Sequence, residues 1–398
     1  MLTGKTVILG VTGSIAAYKI ANLARGLKKL NCNVHVLMTE NATNFINPIT
    51  FETLTQNKCL VDTFDRNFEY SVEHVSIAKA ADAVLIAPAT ANVIGKIANG
   101  IADDMLTTTV MACTCPIIIA PAMNHNMYHN AIVQDNLNKL QGFGYEIIAP
   151  DTGMLANGDI GDGRMPCEET LLDYIEKAAA HEKDMLGKSV LITAGATREA
   201  IDPVRFITNH SSGKMGLAMA RAAAARGADV TVIKAATDME FPKYMRVINV
   251  SSAEEMYDAV MENADADIII KAAAVADYTP EIKSDNKIKK SDDDLTLSLK
   301  RTKDILKTLG NNKKPNQIIC GFSMETENVI ENSKKKLDTK NADIIAANSL
   351  KTDGAGFGTD TNVITIITRE GVTELPIMTK REAADKIYDT ALNLLKSI

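Results

Sequence analysis

Tryptophan is absent from this chain, and aromatic residues make up only 5% of it. No apolar run approaches the ~20 residues that a helix needs to cross a bilayer. Residues 1–5 lead straight into a strand-like segment, without the charged, apolar and cleavage regions of a secretory signal. A cytoplasmic protein without membrane contact is therefore expected. Positive charge is not in excess: 43 Lys and Arg face 50 Asp and Glu, a formal net charge of -7. That balance argues against a nucleic-acid backbone as partner, though not against a small anion, which needs only a local cluster of donors. The six cysteines (Cys32, Cys59, Cys113, Cys115, Cys167, Cys320) form no CxxC pair. Cys113 and Cys115 lack a second pair or a histidine at zinc spacing, so most of the six read as small buried hydrophobes.

What is present fits a globular chain. At about 150 residues per domain, 398 residues suggest two or three domains. Hydrophobic residues at 46% and charged residues at 23% exclude a disordered or low-complexity chain. Two segments open alike, each with a β-branched strand, a glycine turn and a helix. The first is residues 6–11, then Thr12-Gly13-Ser14, then helix to about Leu30. The second is residues 189–193, then Ala194-Gly195, and later a helix over about 214–226. Each is followed by another strand, 34–38 and 230–233, so βαβ architecture begins twice.

Further short apolar runs at 83–87, 116–120 and 145–149, and at 267–271, 317–321 and 343–347, suit parallel sheets buried on both faces. In such sheets ligands collect at the carboxyl ends of the strands. The segment 183–188 is a polar restart that echoes residues 2–5, after an amphipathic helix over 169–182. The expected organisation is α/β: a flavodoxin-like parallel-sheet domain over 1–185 and a second Rossmann-like domain over 186–398.

In the first half, Thr12-Gly13-Ser14-Ile15-Ala16 sits where a strand turns into a helix, a place where free N–H groups and the helix dipole favour phosphate. Ser14 can cap the helix or donate to an anion. The segment is not G-x-G-x-x-G, which disfavours a dinucleotide. Ala87-Pro88-Ala89-Thr90-Ala91-Asn92 follows a strand with small side chains that admit a flat ligand. Pro121-Ala122-Met123-Asn124-His125-Asn126-Met127 follows the next strand, where Asn124 can hold a carboxylate or simply cap a helix. His74 leads into a helix, and a single histidine of that kind is more often structural than catalytic.

Taken in order, with Ala102-Asp103-Asp104-Met105-Leu106, these motifs closely resemble the FMN-dependent cysteine decarboxylase family, specifically phosphopantothenoylcysteine decarboxylase, over roughly residues 4–180. The resemblance implies FMN bound between subunits of a trimer. It places Gly13, Ser14, Thr39, Ala87, Pro88, Ala89, Thr90 and Asn92 at the flavin, with Thr107 close by. It implies that Asn124 holds the substrate carboxylate and that His74 assists the oxidation. One departure stands out. The family's flap carries a proton-donating Cys where this chain has Asn157, in Leu155-Ala156-Asn157-Gly158-Asp159, before Gly161-Asp162-Gly163-Arg164-Met165. An amide is a poor acid, so solvent, Asp159 or Cys167 is left as donor. The glycine-rich flap is expected to move as a lid.

In the second half, Thr193-Ala194-Gly195 is followed by a loop ending Asn209-His210-Ser211-Ser212-Gly213-Lys214-Met215-Gly216. A phosphate chain would suit the helix that opens there, as would ordinary capping; Walker A spacing fails. Downstream lie Lys271-Ala272-Ala273-Ala274-Val275-Ala276-Asp277, then Lys287, Phe322, and a lysine-rich helix. Lys336 and Lys340 are i,i+4 and share a helical face.

This set resembles phosphopantothenate–cysteine ligase over about residues 188–396. The resemblance implies CTP contacts at Ala272, Ala273, Asp277, Lys287, Phe322, Lys336 and Lys340, a further nucleotide turn at Thr302, Lys303, Asp304 and Ile305, and handling of an acyl-cytidylate by Asn209. Lys271 is placed with the nucleotide contacts, its role left open. Mg2+ is expected with the triphosphate, its ligands unassigned. The substrates implied are 4′-phosphopantothenate, L-cysteine and CTP, in a homo-oligomer of trimeric decarboxylase units linked through dimeric ligase domains. The other reading is an FMN-binding regulatory or scaffold protein, which Asn157 favours and His74 with Asn124 disfavours.

Overall fold

The structure is a computed structural model that describes residues 2–64, 73–154, 158, 160–289, 295–325, 328–349 and 359–397. Asn157 and Asp159 lie outside the described residues. The chain forms two compact units, Met1–Glu182 and Lys183–Ile398. Among the described residues no helix is long and apolar enough to cross a membrane.

The first unit is built on a five-stranded parallel sheet. Its order is Asn33–Met38, Thr6–Val11, Ala83–Ala89, Ile117–Pro121 and Glu146–Ile147. Numbered along the chain this is 2-1-3-4-5, the flavodoxin-like order, with its switch point between the first and third strands. Every residue of Thr6–Val11 and Ala83–Ala89 is buried, as continuous apolar strands between two helix layers must be. The run at 145–149 yields only the two-residue strand Glu146–Ile147, and the chain then leaves the sheet as an antiparallel ribbon, Asp151–Met154 paired with Ile160–Arg164.

The second unit carries an eight-stranded sheet. Six strands are parallel, in the order Arg246–Asn249, Asp229–Lys234, Ser189–Ala194, Ile268–Lys271, Ile318–Glu325 and Ile344–Ser349. In chain order that is 3-2-1-4-5-6, the doubly wound arrangement, whose switch point falls between Ser189–Ala194 and Ile268–Lys271. Ile364–Ile367 and Val372–Glu374 extend this sheet antiparallel, so it is mixed rather than purely parallel. A two-strand hairpin returns along an edge without the long crossover that a parallel pair needs.

Candidate functional site

Each unit opens a cavity beyond the carboxyl ends of its sheet strands. In the first unit, the turn after Thr6–Val11 and the exit from Ala83–Ala89 are fastened by one side chain. The Thr12 hydroxyl donates to the Pro88 carbonyl at 2.6 Å and accepts from the Thr90 amide at 3.1 Å. The Ala87–Pro88 peptide is cis. Ser14 caps a short helical segment, Ile15–Lys19, before the α-helix Ile20–Lys29, and Thr90 caps Ala91–Ala98. Thr39 precedes Glu40–Asn44, its amide held by the Val11 carbonyl at 3.0 Å. Thr107 is buried in a capping box with Asp104 at the start of Met105–Ala112.

The cavity beside this fastening, about 570 Å³, is lined by Ser14, Ile15, Tyr18, Asn124, Gly163 and Arg164 among others. Asn124 Oδ1 accepts from the Asn126 amide at 2.9 Å. The capping bond thus fixes the side chain and leaves the NH₂ end to donate. Both the capping and the ligand-holding readings of Asn124 therefore fit one geometry. The ribbon reaches it directly: the Met123 amide donates to the Gly163 carbonyl at 3.0 Å. His74 lies on Glu73–Ala80, which packs against Met105–Ala112, and does not line this cavity. Cys167 is exposed at the start of Glu168–Ala179, 3.3 Å from the Thr170 hydroxyl, and does not line it either.

Among the described residues one trio, His125, His129 and Asp162, brings three metal-capable atoms within 4.8 Å of one another. These groups are already engaged: His129 pairs with Asp162 at 3.1 Å, the Thr152 hydroxyl donates to the Asp162 carboxylate, and the Asp162 backbone amide donates to His125.

In the second unit the loop 272–277 is clamped onto the turn after Ser189–Ala194. The Ala273 amide donates to the Thr193 hydroxyl at 3.1 Å, the Ala274 amide to the Gly195 carbonyl at 2.9 Å, and the Ala276 amide to the Thr197 hydroxyl at 3.0 Å. Thr302 closes the other side, its amide on the Asp277 carbonyl and its hydroxyl on the Ala276 carbonyl. The resulting cleft, about 650 Å³, gathers Lys271, Ala273, Asp277, Thr302, Lys303, Asp304, Ile305, Phe322, Lys336 and Lys340. Asp304 caps Ile305–Asn311 through the Lys307 amide and pairs with Lys340, while Lys336 donates to the Phe322 carbonyl at 2.9 Å.

An adjoining cavity of about 550 Å³ shares Ala273, Asp277, Phe322 and Lys336 and adds Asn209, Ala272 and the Ser211–Ser212–Gly213 turn. Asn209 donates to the Val275 carbonyl at 3.2 Å. The alanine-rich helix Lys214–Ala225 lets that turn come close to the sheet. A Cβ on Gly216 would lie 2.5 Å from the Ala194 Cβ.

Lys287 is the exception among the expected nucleotide contacts. It is exposed and lines neither cavity, on a loop tied down when Ile288 bonds to Asp202 and Arg205. Sequence reasoning also missed residues that line the second cavity, notably Asn348 and Lys380. Asn348 was within reach of the rule that strand carboxyl ends carry ligands, since it nearly closes Ile344–Ser349.

Two family models match the chain. One, described as flavoprotein, covers residues 1–180; the other, described as DNA/pantothenate metabolism flavoprotein C-terminal domain, covers residues 185–395. The coenzyme A biosynthesis bifunctional protein CoaBC of Bacillus subtilis (strain 168) is 48% identical over 401 residues, spanning 100% of this chain and 98% of that protein. The protein of the same name from Haemophilus influenzae is 42% identical over 390 residues, spanning 98% and 97%. A crystal structure of the C-terminal domain of coenzyme A biosynthesis bifunctional protein CoaBC aligns with a TM-score of 0.47 at 41% identity, covering 55% of this chain and 100% of that one.

Proposed function

The chain belongs to the family of coenzyme A biosynthesis bifunctional proteins, and from that premise we propose that it carries out two consecutive steps, the ligase product feeding the decarboxylase. The second unit joins 4′-phosphopantothenate to L-cysteine at the expense of CTP. The first unit decarboxylates the product to 4′-phosphopantetheine with FMN. The observation that carries this reading is that each unit opens a mononucleotide-sized cavity beyond the carboxyl ends of its strands, lined in the second unit by most of the residues that the motifs single out and in the first by Ser14 and Asn124.

A carboxylate does not react with an amine until one of its oxygens becomes a leaving group. Attack of the phosphopantothenate carboxylate on the CTP α-phosphate releases pyrophosphate and gives an acyl-cytidylate, from which the cysteine amine displaces CMP. Lys303, Lys336 and Lys340 offset phosphate charge. Asn209 lines the adjoining cavity and donates to the Val275 carbonyl of loop 272–277, which suits a contact to the acyl-cytidylate. Mg2+ binds largely through substrate phosphates and water, so the cleft needs no dedicated cage for it.

In the first unit, the Gly13–Ser14 turn and the Pro88–Thr90 exit, held together by Thr12, fit a flavin phosphate and ring. Bound FMN supplies the two-electron oxidation of the thiol-bearing carbon, which makes a carboxylate that otherwise lacks an electron sink able to leave as CO2. The Asn124 amide donates to that carboxylate and Arg164 adds positive charge at the cavity wall. Because His74 does not line the cavity of its own chain, the reading includes an oligomer that completes the site.

The test is to incubate the pure full-length protein with phosphopantothenate, cysteine, CTP and Mg2+ and to identify products by mass. CMP, pyrophosphate, CO2 and 4′-phosphopantetheine are expected. Accumulation of phosphopantothenoylcysteine sinks the decarboxylase half, and absence of CMP sinks the ligase half. A product stopped at the enethiol identifies Asn157 as the cost of losing the flap cysteine.

A further inference from the structure

The geometry points to Lys271 as the residue that takes up a proton when a nucleotide enters the second unit's cleft, coupling nucleotide affinity to pH through one buried amine. The inference rests on the nucleotide reading given above.

Lys271 ends the strand Ile268–Lys271, whose other residues are all isoleucine, at the switch point itself. Its Nζ is sealed from solvent and has no hydrogen-bond partner among the described residues, although the side chain borders a cleft of about 650 Å³. A methionine would fill similar volume without the cost of burying an amine. The charged side chains around the cleft come from every element that frames it. Asp277 follows the 272–276 loop, and Arg301 and Lys303 flank Thr302. Asp304 and Lys307 open Ile305–Asn311, while Lys336 and Lys340 belong to Val329–Thr339 and its C-cap. Cations outnumber carboxylates five to two in this set.

The nearer carboxylate is already engaged, since Asp304 accepts both Lys340 and the Lys307 amide. Burial pushes the Lys271 amine down to about 7, Asp304 opposing the shift and Lys336 adding to it. The amine is therefore mostly neutral in the empty protein above that pH.

A polyanionic ligand removes both causes at once. It gives the amine an acceptor, and it offsets the crowd of cations that disfavours another positive charge. Lys271–NH2 then takes a proton from the solvent buffer and becomes Lys271–NH3+, with no bond formed or broken elsewhere. By linkage, a group whose pKa is raised in the complex makes binding tighter as pH falls. Between a free value of about 7 and a bound value near the ordinary ~10.4, the dissociation constant should rise towards tenfold per pH unit.

The experiment is calorimetric titration of the full-length protein with CTP and Mg2+ at pH 8.5, in two buffers of different ionisation enthalpy. The nucleotide phosphates are fully ionised there, so their own protons do not interfere. Wild type is expected to take up most of one proton per site, seen as a buffer-dependent heat. Lys271→Met is expected to show a buffer-independent heat and a dissociation constant that is flat from pH 7.5 to 9.5. Tight CTP binding by wild type with no buffer dependence overturns the inference and leaves the ligase reading standing. So does uptake that persists in Lys271→Met, which would point to another group. Should that variant fail to fold, Lys271→Gln takes its place, since it too carries no group that can take up a proton. Failure of CTP to bind at all sinks the nucleotide reading and this inference with it.

Discussion

Replacing Gly163 with alanine tests whether the antiparallel ribbon positions the decarboxylase site. Gly163 has φ +131°, a region that side chains with a Cβ rarely adopt, and its own Cβ would lie 2.2 Å from the Met123 carbonyl oxygen. Contacts of Cβ below 3.0 Å are essentially never seen, so strand and loop must part by at least 0.8 Å, the difference between these two distances. The clash is with backbone, so no rotamer relieves it. Backbone strain costs on the order of 1–3 kcal/mol. Loss of the Met123–Gly163 bond adds about 0.5–1.5 kcal/mol.

The ribbon lies outside the main sheet, so it can escape this cost by lifting away, and global melting should move little. Asn124 directly follows Met123 and moves with it. A misplacement of about 1 Å can cost on the order of 100-fold in rate, and that is the expected fall in decarboxylation. The assay supplies phosphopantothenoylcysteine directly and follows CO2 release. CMP release in the proposed ligase reaction serves as the internal control, because the proposal assigns that chemistry to the other compact unit. A Gly163→Ala protein that decarboxylates within about threefold of wild type would show that the ribbon does not fix Asn124, and would refute the link drawn between its position and the rate.

Three further outcomes follow from the same geometry. Gly216→Ala should push the helix Lys214–Ala225 off the strand at Ala194, costing about 1–3 kcal/mol and weakening CTP binding; unchanged melting and affinity would contradict the close approach. Burial alone would raise the Asp267 carboxyl, but the Ser189 amide and hydroxyl hold it below its usual range. Its stabilisation is therefore present above the unfolded value of about 3.9 and lost as pH falls through the lower folded one, so Asp267→Asn should flatten the melting profile below about pH 4. Purified protein should be yellow and release FMN rather than FAD; with no tryptophan in the chain, flavin emission can be read without that background. Colourless protein that refuses added FMN would refute the assignment of the first unit.

Much of the fold is legible in local sequence. Strand-turn-helix units depend on apolar runs, turn residues and caps within a few positions of one another, which is why Thr6–Val11 with Ser14, and Ser189–Ala194 with its glycine turn, stand out. The motifs likewise mark Asn124 and the 271–277 segment before any coordinates are known. Strand order does not follow from such patterns. The 2-1-3-4-5 and 3-2-1-4-5-6 arrangements are set by pairing between distant segments, and they alone decide which loops share a crevice. The same holds for the antiparallel edge at Ile364–Ile367, for the Thr12 hydroxyl that fastens two loops 76 residues apart, and for Lys287, whose loop is tied to Asp202 away from the cleft. Lys271 shows the division most clearly. In the sequence it is a lysine after three isoleucines, an ordinary way to end a strand. Only packing on all sides removes water from that amine without giving it a partner among the described residues, because burial is a property of neighbours that the chain brings together from far apart.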